Sequence, residues 1–383
     1  MKLSEAEKLI QESLEKMCAS EVPKYQTEQY YNSVPRELFR ALAELGVAGL
    51  AVPEEFGGIA APATTSALVM ETLAQFDLGP AIFVSVHAMV AGLISRFGTD
   101  QQKSDLLPKF ADGSYLGAFA LTESKAGSDA SALTTEARKD GDTFVINGSK
   151  CYITSAGYAD MYVVFAKTKD ETQNGITSFI VPADTKGLSI GKPEKKMGCE
   201  LSPIASLYFD EMRLPASSVL GPLHGGYRAA LSGLAGGRVS IAACANGLSK
   251  SAISHAKNYL VEREQFGRPL YEFQGLQFML ADMFCKYEAS RLLVWNAAQE
   301  IDEEKTSAAG VNTKLASSVA KCFATDAAMS ITTDAVQLLG GAGYIREYSV
   351  ERLMRDAKML QIVEGTNQIQ RMIIARELRP AGN

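Results

Sequence analysis

The chain has 383 residues, of which 46% are hydrophobic and 21% charged, and its formal net charge is -6. This length predicts two or three domains, and the acidic balance argues against nucleic acid as the main partner because phosphate binding needs a basic face. No apolar run approaches the roughly 18 residues that a membrane span requires, so we expect neither a membrane helix nor a membrane partner.

The N-terminal segment, MKLSEAEKLIQESLEK, is acidic and has the pattern of a helix. It lacks the apolar core of a secretory signal, and it also lacks the Arg-rich, acid-poor character of an organelle transit peptide. We therefore expect a cytoplasmic location, or the mitochondrial matrix if the chain is a processed eukaryotic protein.

Residues 1–115 are expected to form an all-α N-terminal domain. Pro35 stands in the first turn of one predicted helix and Gly46 at its end. The segments TTSALVMETLAQF and AIFVSVHAMVAGLISRF predict two longer apolar helices, and Thr99 or Asp100 is a suitable N-cap for the helix after them.

Residues 116–222 are expected to form a middle β domain. Asp140-Gly141 and Asn147-Gly148 are each a hairpin signal, and they separate short runs rich in strand-forming residues. Further strands are predicted in MYVVFAKT, GITSFIVP and ASLYFDEMRLP.

Residues 226–383 are expected to form a C-terminal bundle, which begins after the predicted linker GPLHGGY. In GLQFMLADMFCKYEASRLLVWNAAQ the apolar residues recur at spacings of three and four, as on one face of a helix. Further helices are predicted over residues 311–339, 350–361 and 366–378. Four or five long antiparallel helices make a bundle.

The sequence predicts neither a metal site nor a disulfide framework. Its six cysteines contain no CxxC pair, so buried free thiols are expected. Its three histidines have no second ligand type at metal-binding spacing. Among them, His87 is expected to be a hydrogen-bonded core residue, with a place in the wall of a pocket as the alternative.

A loop of small and hydroxyl residues is the first candidate for ligand binding. No G-x-G-x-x-G follows a predicted strand and no G-x-x-x-x-G-K-[ST] occurs, which argues against Rossmann and P-loop sites. The segment LGAFALTESKAGSDASAL instead runs from a strand into the loop, where Gly127 and nearby backbone N–H groups can approach a pyrophosphate. Thr122 and Ser128 supply hydroxyl donors, and an ordinary polar turn is the alternative.

Glu364 is the second candidate. It stands between Val363 and Gly365, just before a predicted helix that Thr366 can cap. Burial of a carboxylate beside an apolar pocket raises its pKa towards neutral pH, which suits a general base. The alternative is a solvated glutamate in a loop between helices.

Five segments, AFALTESKAGSD, NGSKCYITSAG, REQFGRPL, QLLGGAGY and EGTNQIQR, resemble successive motifs of the acyl-CoA dehydrogenases and occur in the family order over nearly the whole chain. The resemblance implies an α+β multidomain fold with an N-terminal α-helical domain, a middle β-barrel-like domain and a C-terminal four-helix-bundle domain. It also implies a homotetramer that binds FAD non-covalently between the β domain and the bundle.

The resemblance further implies roles for individual residues. Substrate contacts are implied for Ser128, Ala235, Arg238 and Arg376, although a buried Arg238 in a structural ion pair is an alternative. The ADP half of FAD is expected to be bound by Arg263, Phe266, Phe273, Gln274 and residues 337–341, partly from a neighbouring subunit. The full set of implied FAD ligands is Phe119, Leu121, Thr122, Gly127, Ser128, Tyr152, Ile153, Thr154, Arg263, Phe266, Phe273, Gln274, Gln337, Gly340, Gly341, Thr366 and Gln368.

Two positions depart from the family pattern. Ala235 replaces an Asp that contacts CoA in many straight-chain members, and Ser124-Lys125 stand where Pro-Gly is usual. Tyr152 occupies a position where many relatives carry Trp as an aromatic shield beside the flavin.

The reaction that the resemblance implies is the α,β-dehydrogenation of an acyl-CoA. Glu364 removes the α-proton, flavin N5 accepts the β-hydride, and the trans-2-enoyl-CoA forms before electrons pass to electron-transfer flavoprotein. The alternatives are an oxidase that uses oxygen and a non-catalytic member that binds acyl-CoA or FAD. Segments such as SVHAMVAGLISRFG look most similar to the isobutyryl-CoA and short-chain members, which favours a short or branched acyl group in fatty-acid or branched-chain amino-acid catabolism. Its pocket depth is expected to depend on Val84, His87, Met89 and Val90.

Overall fold

The computed structural model describes residues 3–169, 174–306 and 313–379. The first part of this structure is helical, as the sequence predicts. Its helices are α1 (Glu5–Glu21), α2 (Arg36–Glu44), α3 (Ala63–Phe76), α4 (Leu78–Phe97) and α5 (Asp100–Ala111). Thr99 caps α5, because its hydroxyl accepts a hydrogen bond from the Gln102 N–H while the Gln102 side chain accepts one from the Thr99 N–H.

Helix α4 corrects the expectation that no segment comes near the length of a membrane span. Of the helices within the described residues, it is the one long and apolar enough to cross a membrane by length and composition. In the structure, however, 78% of the most apolar 18-residue stretch of this helix is buried inside the protein. Phe83, Val90 and Ile94 are fully buried in it, so its composition is that of a core helix.

The middle of the chain folds into a sheet. Its strands are β1 (Gly117–Ala120), β2 (Glu136–Asp140), β3 (Thr143–Thr154), β4 (Met161–Lys169), β5 (Asn174–Pro182), β6 (Leu188–Ile190), β7 (Ile204–Pro215) and β8 (Val219–Leu220). They pair in the order β6-β7-β3-β2-β4-β5-β8, with β1 beside β4. Both β1 and β2 run parallel to β4, along successive parts of it. The chain between them, residues 121–135, is the hydroxyl-rich loop.

One of the two predicted hairpins is wrong. Asp140-Gly141 does form a tight turn between β2 and β3, but Asn147-Gly148 lies inside β3, at a bulge opposite β7. The Asn147 amide donates to the Glu211 carboxylate at 2.6 Å, and its oxygen accepts from the Glu211 N–H at 2.8 Å. Gly148 has a φ of 140°. Because Asn147 finds partners on the neighbouring strand, the Asn-Gly pair bends the strand without reversing it.

The C-terminal part is a helix bundle, as the sequence predicts. Its elements are α6 (Gly226–Glu262), β9 (Glu264–Gln265), β10 (Arg268–Pro269), α7 (Gln274–Thr306), α8 (Thr313–Leu339), α9 (Val350–Leu360) and α10 (Asn367–Glu377). The predicted helical residues 311–312 lie outside the described residues. Helix α6 packs against α7, α8 and α9 and also against α3 and α4, so it joins the two helical parts.

The hydrophobic cores cross the predicted domain limits. One core is shared by the N-terminal and C-terminal helices and includes Leu73 and Ile331. A second joins α4 and α5 to one face of the sheet through residues such as Phe110 and Val163, and a third lies within the sheet domain. The limits at residues 115 and 222 stay predictions. The two helical parts and the sheet meet around α4 and α6.

His87 is a core residue, as predicted. Its Nε2 lies 3.1 Å and 3.2 Å from the carbonyls of Ala48 and Phe110, and its Nδ1 lies 3.3 Å from the Gly117 N–H. Burial lowers the pKa of His87 to about 4, so the neutral ring is the form that the core holds. The expectation of buried thiols is right for Cys18, Cys199, Cys244 and Cys322, whereas Cys151 is half-buried and Cys285 exposed.

Candidate active site

A cavity of about 2130 Å³ lies between the sheet and the helices. Its walls include the hydroxyl-rich loop, the end of β3, one face of α4, the first half of α6 and the segment that joins α9 to α10. This volume exceeds the roughly 300–1,000 Å³ of one small-molecule site, so it suits two ligands side by side. Of the residues selected from the sequence, it is lined by Phe119, Leu121, Thr122, Gly127, Ser128, Tyr152, Ile153, Thr154, Ala235, Arg238, Glu364, Thr366 and Arg376.

The rest of the selected residues lie elsewhere, after α6, at the end of α8 and on the outer face of α10. Phe266 is 93% exposed, its ring lies 6.1 Å from that of Phe273, and the Arg268 guanidinium lies 4.1 Å from the Phe273 ring. A single chain therefore brings together only part of the predicted set, and the roles of all these residues stay predictions. The described residues that line the cavity do not include Arg263, Phe266, Phe273, Gln274, Gln337, Gly340, Gly341 or Gln368.

Glu364 lies in a left-handed turn between α9 and α10. Its φ is 56° and that of Gly365 is 84°, a conformation that costs a non-glycine residue about 1–3 kcal/mol. Thr366 caps α10 as predicted, since its hydroxyl accepts from the Ile369 N–H at 3.3 Å. The Gln370 side chain donates to the carbonyls of Glu364 and Gly365 at 3.0 Å and 2.9 Å. These bonds hold the turn against its local strain.

The Glu364 carboxylate lies against α6. Its Oε2 atom is buried and has no hydrogen-bond partner among the described residues. A Cβ on Gly237 would lie 2.6 Å from that oxygen and 2.9 Å from Cε of Met89, so the missing side chain provides the space for the carboxylate. Burial raises the pKa of Glu364 to about 7, although the charges of Arg238 and Lys321 lower it. The group therefore titrates near neutral pH, as a general base should.

Arg238 lines the cavity from α6. It is buried, and burial lowers its pKa while the nearby Glu364 raises it. Its Nε atom has no hydrogen-bond partner in the described part of the chain, unlike that of Arg291, which pairs with Glu71 at 2.9 Å. A buried guanidinium in this state favours the predicted substrate contact over a structural ion pair.

A buried ion pair anchors the hydroxyl-rich loop. Lys150 Nζ lies 2.8 Å from a Glu123 oxygen, with side chains only 0% and 5% exposed, and it donates to the Leu121 carbonyl at 3.1 Å. The N–H groups of Thr134 and Thr135 donate to the same carboxylate at 2.6 Å and 2.9 Å. Burial raises the pKa of Glu123, but hydrogen bonds from Lys150 and the two threonines lower it to about 2. A charged Glu123 thus ties both ends of the loop to β3.

Tyr152 is turned out of β3 by a second bulge. The register of β3 against β7 shifts between Lys150 and Ile153, and Tyr152 has a φ of 58°. Its side chain is 63% exposed and lines the cavity, whereas that of Ile153 is buried. The bulge therefore presents an aromatic ring to the cavity.

Models of three domains of one family match the chain in order. The acyl-CoA dehydrogenase N-terminal domain matches residues 4–114, the middle domain residues 118–212 and the C-terminal domain residues 224–379. The chain belongs to the acyl-CoA dehydrogenase family. It is therefore an FAD-dependent oxidoreductase that dehydrogenates acyl-CoA, and the predicted three-part fold is confirmed.

Individual relatives agree with this assignment. A mitochondrial isobutyryl-CoA dehydrogenase of Dictyostelium discoideum is 38% identical over 93% of this chain and 84% of its own. The butyryl-CoA dehydrogenase of Megasphaera elsdenii superposes with a TM-score of 0.93 at 39% identity, over 99% of each chain. A chain from a structure described as the electron transferring flavoprotein of Acidaminococcus fermentans has a TM-score of 0.93 and 40% identity, over 99% of this chain and 100% of that one.

The residues at the sheet side of the cavity fit the family's FAD. Around Gly127 an added Cβ would meet no atom within 4 Å, and Thr122 and Ser128 line the cavity on the same loop. Tyr152 offers a ring for stacking, and the N-terminus of α10 beside Thr366 favours an anionic group. These groups would hold the flavin and its pyrophosphate.

The loop anchor yields a prediction about FAD retention. Lys150→Met would leave the Glu123 carboxylate buried without its cation, which costs about 3–5 kcal/mol, and the loop should lose its hold on FAD. We expect a lower unfolding temperature and a smaller fraction of FAD retained on gel filtration. Arg213→Met breaks an exposed pair with Asp140 on the same sheet and should leave both quantities nearly unchanged. Equal FAD retention by the two variants would contradict the prediction.

The two departures from the family pattern have different settings. Ser124 and Lys125 form the exposed tip of a turn that Glu123 and Ala126 close with hydrogen bonds of 3.1 Å and 3.0 Å between their backbones. The loop therefore keeps a regular turn without Pro-Gly. Ala235 lies in the cavity wall, where it supplies no polar group.

The predicted acyl-pocket residues need correction. Val84, His87 and Val90 are fully buried in the core and are not among the described residues that line the cavity. Met89 does line it, together with Ser85 and others on the same face of α4. The four residues are close in sequence, but positions 84, 87 and 90 face away from positions 85 and 89 on a helix of 3.6 residues per turn.

Several residues of the site escaped the sequence analysis. Gly237, Lys321 and Gln370 surround Glu364, and Glu123 with Lys150 anchors the loop. One available signal was the Gly236-Gly237 pair inside an apolar helix, because a helix interior disfavours glycine unless it needs the space.

Proposed function

We propose that this protein converts a short or branched-chain acyl-CoA to the trans-2-enoyl-CoA in an FAD-dependent reaction, with Glu364 as the base. The observation that carries the proposal is the buried Oε2 of Glu364, which has no hydrogen-bond partner among the described residues in a side chain that lines the cavity. A buried polar atom without a partner costs stability. A proton taken from the substrate would neutralise this buried carboxylate, which no hydrogen bond to Oε2 stabilises among the described residues.

The titration of Glu364 sets the expected pH dependence. Burial raises its pKa to about 7, so the carboxyl is protonated at lower pH and ionised at higher pH. Only the ionised form can accept a proton. The rate of proton removal should therefore rise with pH through about 7.

The backbone of the Glu364 turn supports the acidity of the substrate α-carbon. The Glu364 N–H takes part in none of the backbone hydrogen bonds found for the described residues, whereas the carbonyls of Glu364 and Gly365 are both engaged by Gln370. An N–H without an acceptor among the described residues is available to the thioester carbonyl. Such a donor stabilises the negative charge that develops on that oxygen.

The remaining residues orient the reactants. When bound, FAD supplies the acceptor for the hydride that leaves the β-carbon. The hydroxyl-rich loop and Tyr152 would hold the cofactor on the sheet side, while Arg238 and Arg376 line the wall available to the CoA thioester. Confining both reactants in one cavity replaces an encounter in solution, which is worth several orders of magnitude in rate.

Met89 supports the choice of a short or branched acyl group. The position that a Cβ on Gly237 would occupy lies 2.9 Å from the Met89 Cε and 2.6 Å from the Glu364 Oε2. The methionine therefore occupies space directly beside the base. The position that a Cβ on Gly233 would occupy lies 3.2 Å from the Met89 Cγ and 3.4 Å from its Sδ. An acyl chain that reaches Glu364 must fit beside this side chain, which favours a compact group.

Anaerobic addition of acyl-CoA to the FAD-loaded enzyme tests the proposal. We expect isobutyryl- and butyryl-CoA to remove the flavin absorbance, with a second-order rate constant of flavin reduction at least about tenfold above that of octanoyl-CoA, because poor fit in an apolar pocket costs factors of this size. No loss of absorbance with any acyl-CoA would refute the dehydrogenation. A preference for octanoyl-CoA would refute the substrate class, and oxygen consumption in a parallel aerobic assay would favour an oxidase.

We further propose electron-transfer flavoprotein as the electron acceptor and a homotetramer as the assembly. The relative from Acidaminococcus fermentans, whose structure is described as an electron transferring flavoprotein, supports the first. The second is supported by exposed apolar residues after α6 and on α7, namely Phe266, Phe278, Phe284 and Leu292, which a second copy can cover. The proposed location is the cytoplasm, or the mitochondrial matrix for a processed eukaryotic chain.

A further inference from the structure

Lys321 lies on α8, directly beneath the Glu364 turn. It is fully buried, and its Nζ donates to the Gly365 carbonyl at 3.0 Å and to Oδ1 of Asn367 at 2.8 Å. These acceptors stand on either side of Thr366, the N-cap of α10. Burying an ammonium is expensive unless it is hydrogen-bonded, so the contacts of this lysine with the turn are specific.

The neighbours of Lys321 on α8 hold the same turn. The Asn367 side chain donates to Oγ1 of Thr325 at 2.9 Å and to the Asp326 carboxylate at 2.7 Å. Asp326 also accepts from the Gln361 amide at 2.6 Å, on the other side of the turn. One stretch of α8 thus grips the chain before and after Glu364, and Lys321 supplies the positive charge in that grip.

The charged and titratable groups around the turn come from three helices. They are Arg238 from α6, Lys321, Cys322 and Asp326 from α8, and Arg371 and Arg376 from α10. Arg371 pairs with Asp326 at 2.6 Å and donates to the Asn367 carbonyl at 3.2 Å, whereas Arg376 acts on Arg238. The neighbour from α4 is the uncharged Met89. Arg238 lines the cavity, whereas Lys321 is not among the described residues that do. Substrate can therefore reach the arginine but not the lysine.

The lysine carries its charge at neutral pH. Burial lowers the pKa of Lys321 to about 8, against Cys322, Glu364 and Asp326, which raise it. In turn, its charge lowers the pKa of Glu364. A cation that acts on the base from behind the turn changes the protonation of the base without contacting the substrate.

We propose that Lys321 is a positioning residue for the base: its ammonium holds the Glu364–Gly365 turn in its left-handed conformation, and its charge favours the ionised carboxylate. This inference rests on the proposed role of Glu364. It assigns Lys321 two effects, one on geometry and one on charge, and a neutral replacement removes both.

Lys321→Met tests the inference, because methionine has a similar length and no charge. At pH 7 we expect kcat per bound FAD to fall about tenfold or more, with KM nearly unchanged because the lysine does not line the cavity. The pH midpoint of the rate should rise by about one unit, the usual effect of removing a nearby charge. The infrared band of the Glu364 carboxyl group can be identified because the Glu364→Gln variant lacks it. In Lys321→Met this band should titrate at the same higher pH, and its measurement needs no turnover.

Two further variants separate the effects. Lys321→Gln keeps a hydrogen-bond donor without the charge, so it should recover part of kcat while its pH midpoint stays raised. Lys286→Met is the matched control, because it removes a hydrogen bond of 2.9 Å to Ser330 between α7 and α8, away from the turn. It should leave kcat, the midpoint and the infrared titration unchanged.

The possible outcomes are distinct. An active wild type with an unchanged rate and midpoint in Lys321→Met would overturn the inference and leave the proposed function intact. A lower rate with an unmoved midpoint and infrared band would also overturn it, since that is the effect of a merely structural lysine. If Lys321→Met does not retain FAD, the midpoint and the infrared band of Lys321→Gln decide. A wild type that no acyl-CoA bleaches refutes the proposed function itself.

Discussion

Glu364→Gln is expected to slow the acyl-CoA-dependent loss of flavin absorbance by about 10³-fold, the usual contribution of a general base. Glutamine has nearly the shape of glutamate. The turn is held through backbone carbonyls, which Gln370 and Lys321 engage, so the substitution should leave the turn in place. Stopped-flow measurement with isobutyryl-CoA, normalised to bound FAD, gives the rate.

Stability distinguishes a lost base from a damaged fold. Burial raises the pKa of Glu364 to about 7 in the folded protein, above its value in the unfolded chain. The contribution of Glu364 to the free energy of unfolding is therefore fully favourable below its pKa in the unfolded chain, and it is lost as pH rises through about 7. At pH 8 the Gln variant should be at least as stable as the wild type.

Glu364→Asp serves as the control for Glu364→Gln. It keeps a carboxylate at a changed distance, so it should react more slowly than the wild type but faster than the Gln variant. A Gln variant that reacts as fast as the wild type would exclude Glu364 as the base. One that is inactive and also unstable at pH 8 would assign the carboxylate a role in folding.

Gly237→Ala is expected to lower kcat by about 10²-fold although it adds only one methyl group. That methyl would lie 2.6 Å from the Glu364 Oε2 and 2.9 Å from the Met89 Cε, so the carboxylate must move. A displacement of about 1 Å at a reacting group can cost a factor of this size. Steady-state kinetics with isobutyryl-CoA, together with the unfolding temperature, tests the prediction.

Gly236→Ala is the matched control, since it makes the same change one residue earlier in α6. A Cβ at this position would meet no atom within 4 Å. Because alanine is a better helix former by about 1 kcal/mol, this variant should be slightly more stable. Its methyl group would enter the open cavity without displacing the base, so any loss of kcat should be much smaller than in Gly237→Ala. Equal kcat in the two alanine variants would show that Gly237 does not provide space for the base.

Much of the fold was accessible from local patterns. Burial repeats every 3.6 residues on a helix and every second residue on a strand, which separates the two helical parts from the sheet between them. Cap residues such as Thr99 and Thr366 act on atoms a few residues away, and their roles were predicted correctly for this reason.

Local patterns failed where distant chain segments decide the outcome. Asn147-Gly148 has the composition of a hairpin turn, but the bonds of Asn147 to Glu211 make it a bulge. Val84 and Val90 were expected to line the acyl pocket, but helix α4 packs both of them into the core. In both cases the partners lie far along the chain, where a short window of sequence cannot show them.

The sequence by itself determined the family, the order of the three parts, and Glu364 as the candidate base before a capped helix. Only the tertiary structure decided the state of that carboxylate. Met89 from α4, Gly237 from α6 and Lys321 from α8 meet at Glu364, although Met89 and Gly237 each lie more than a hundred residues before the base in the sequence. Desolvation and charge interactions depend on distances in space, so the pKa of Glu364 follows from the packing of these helices.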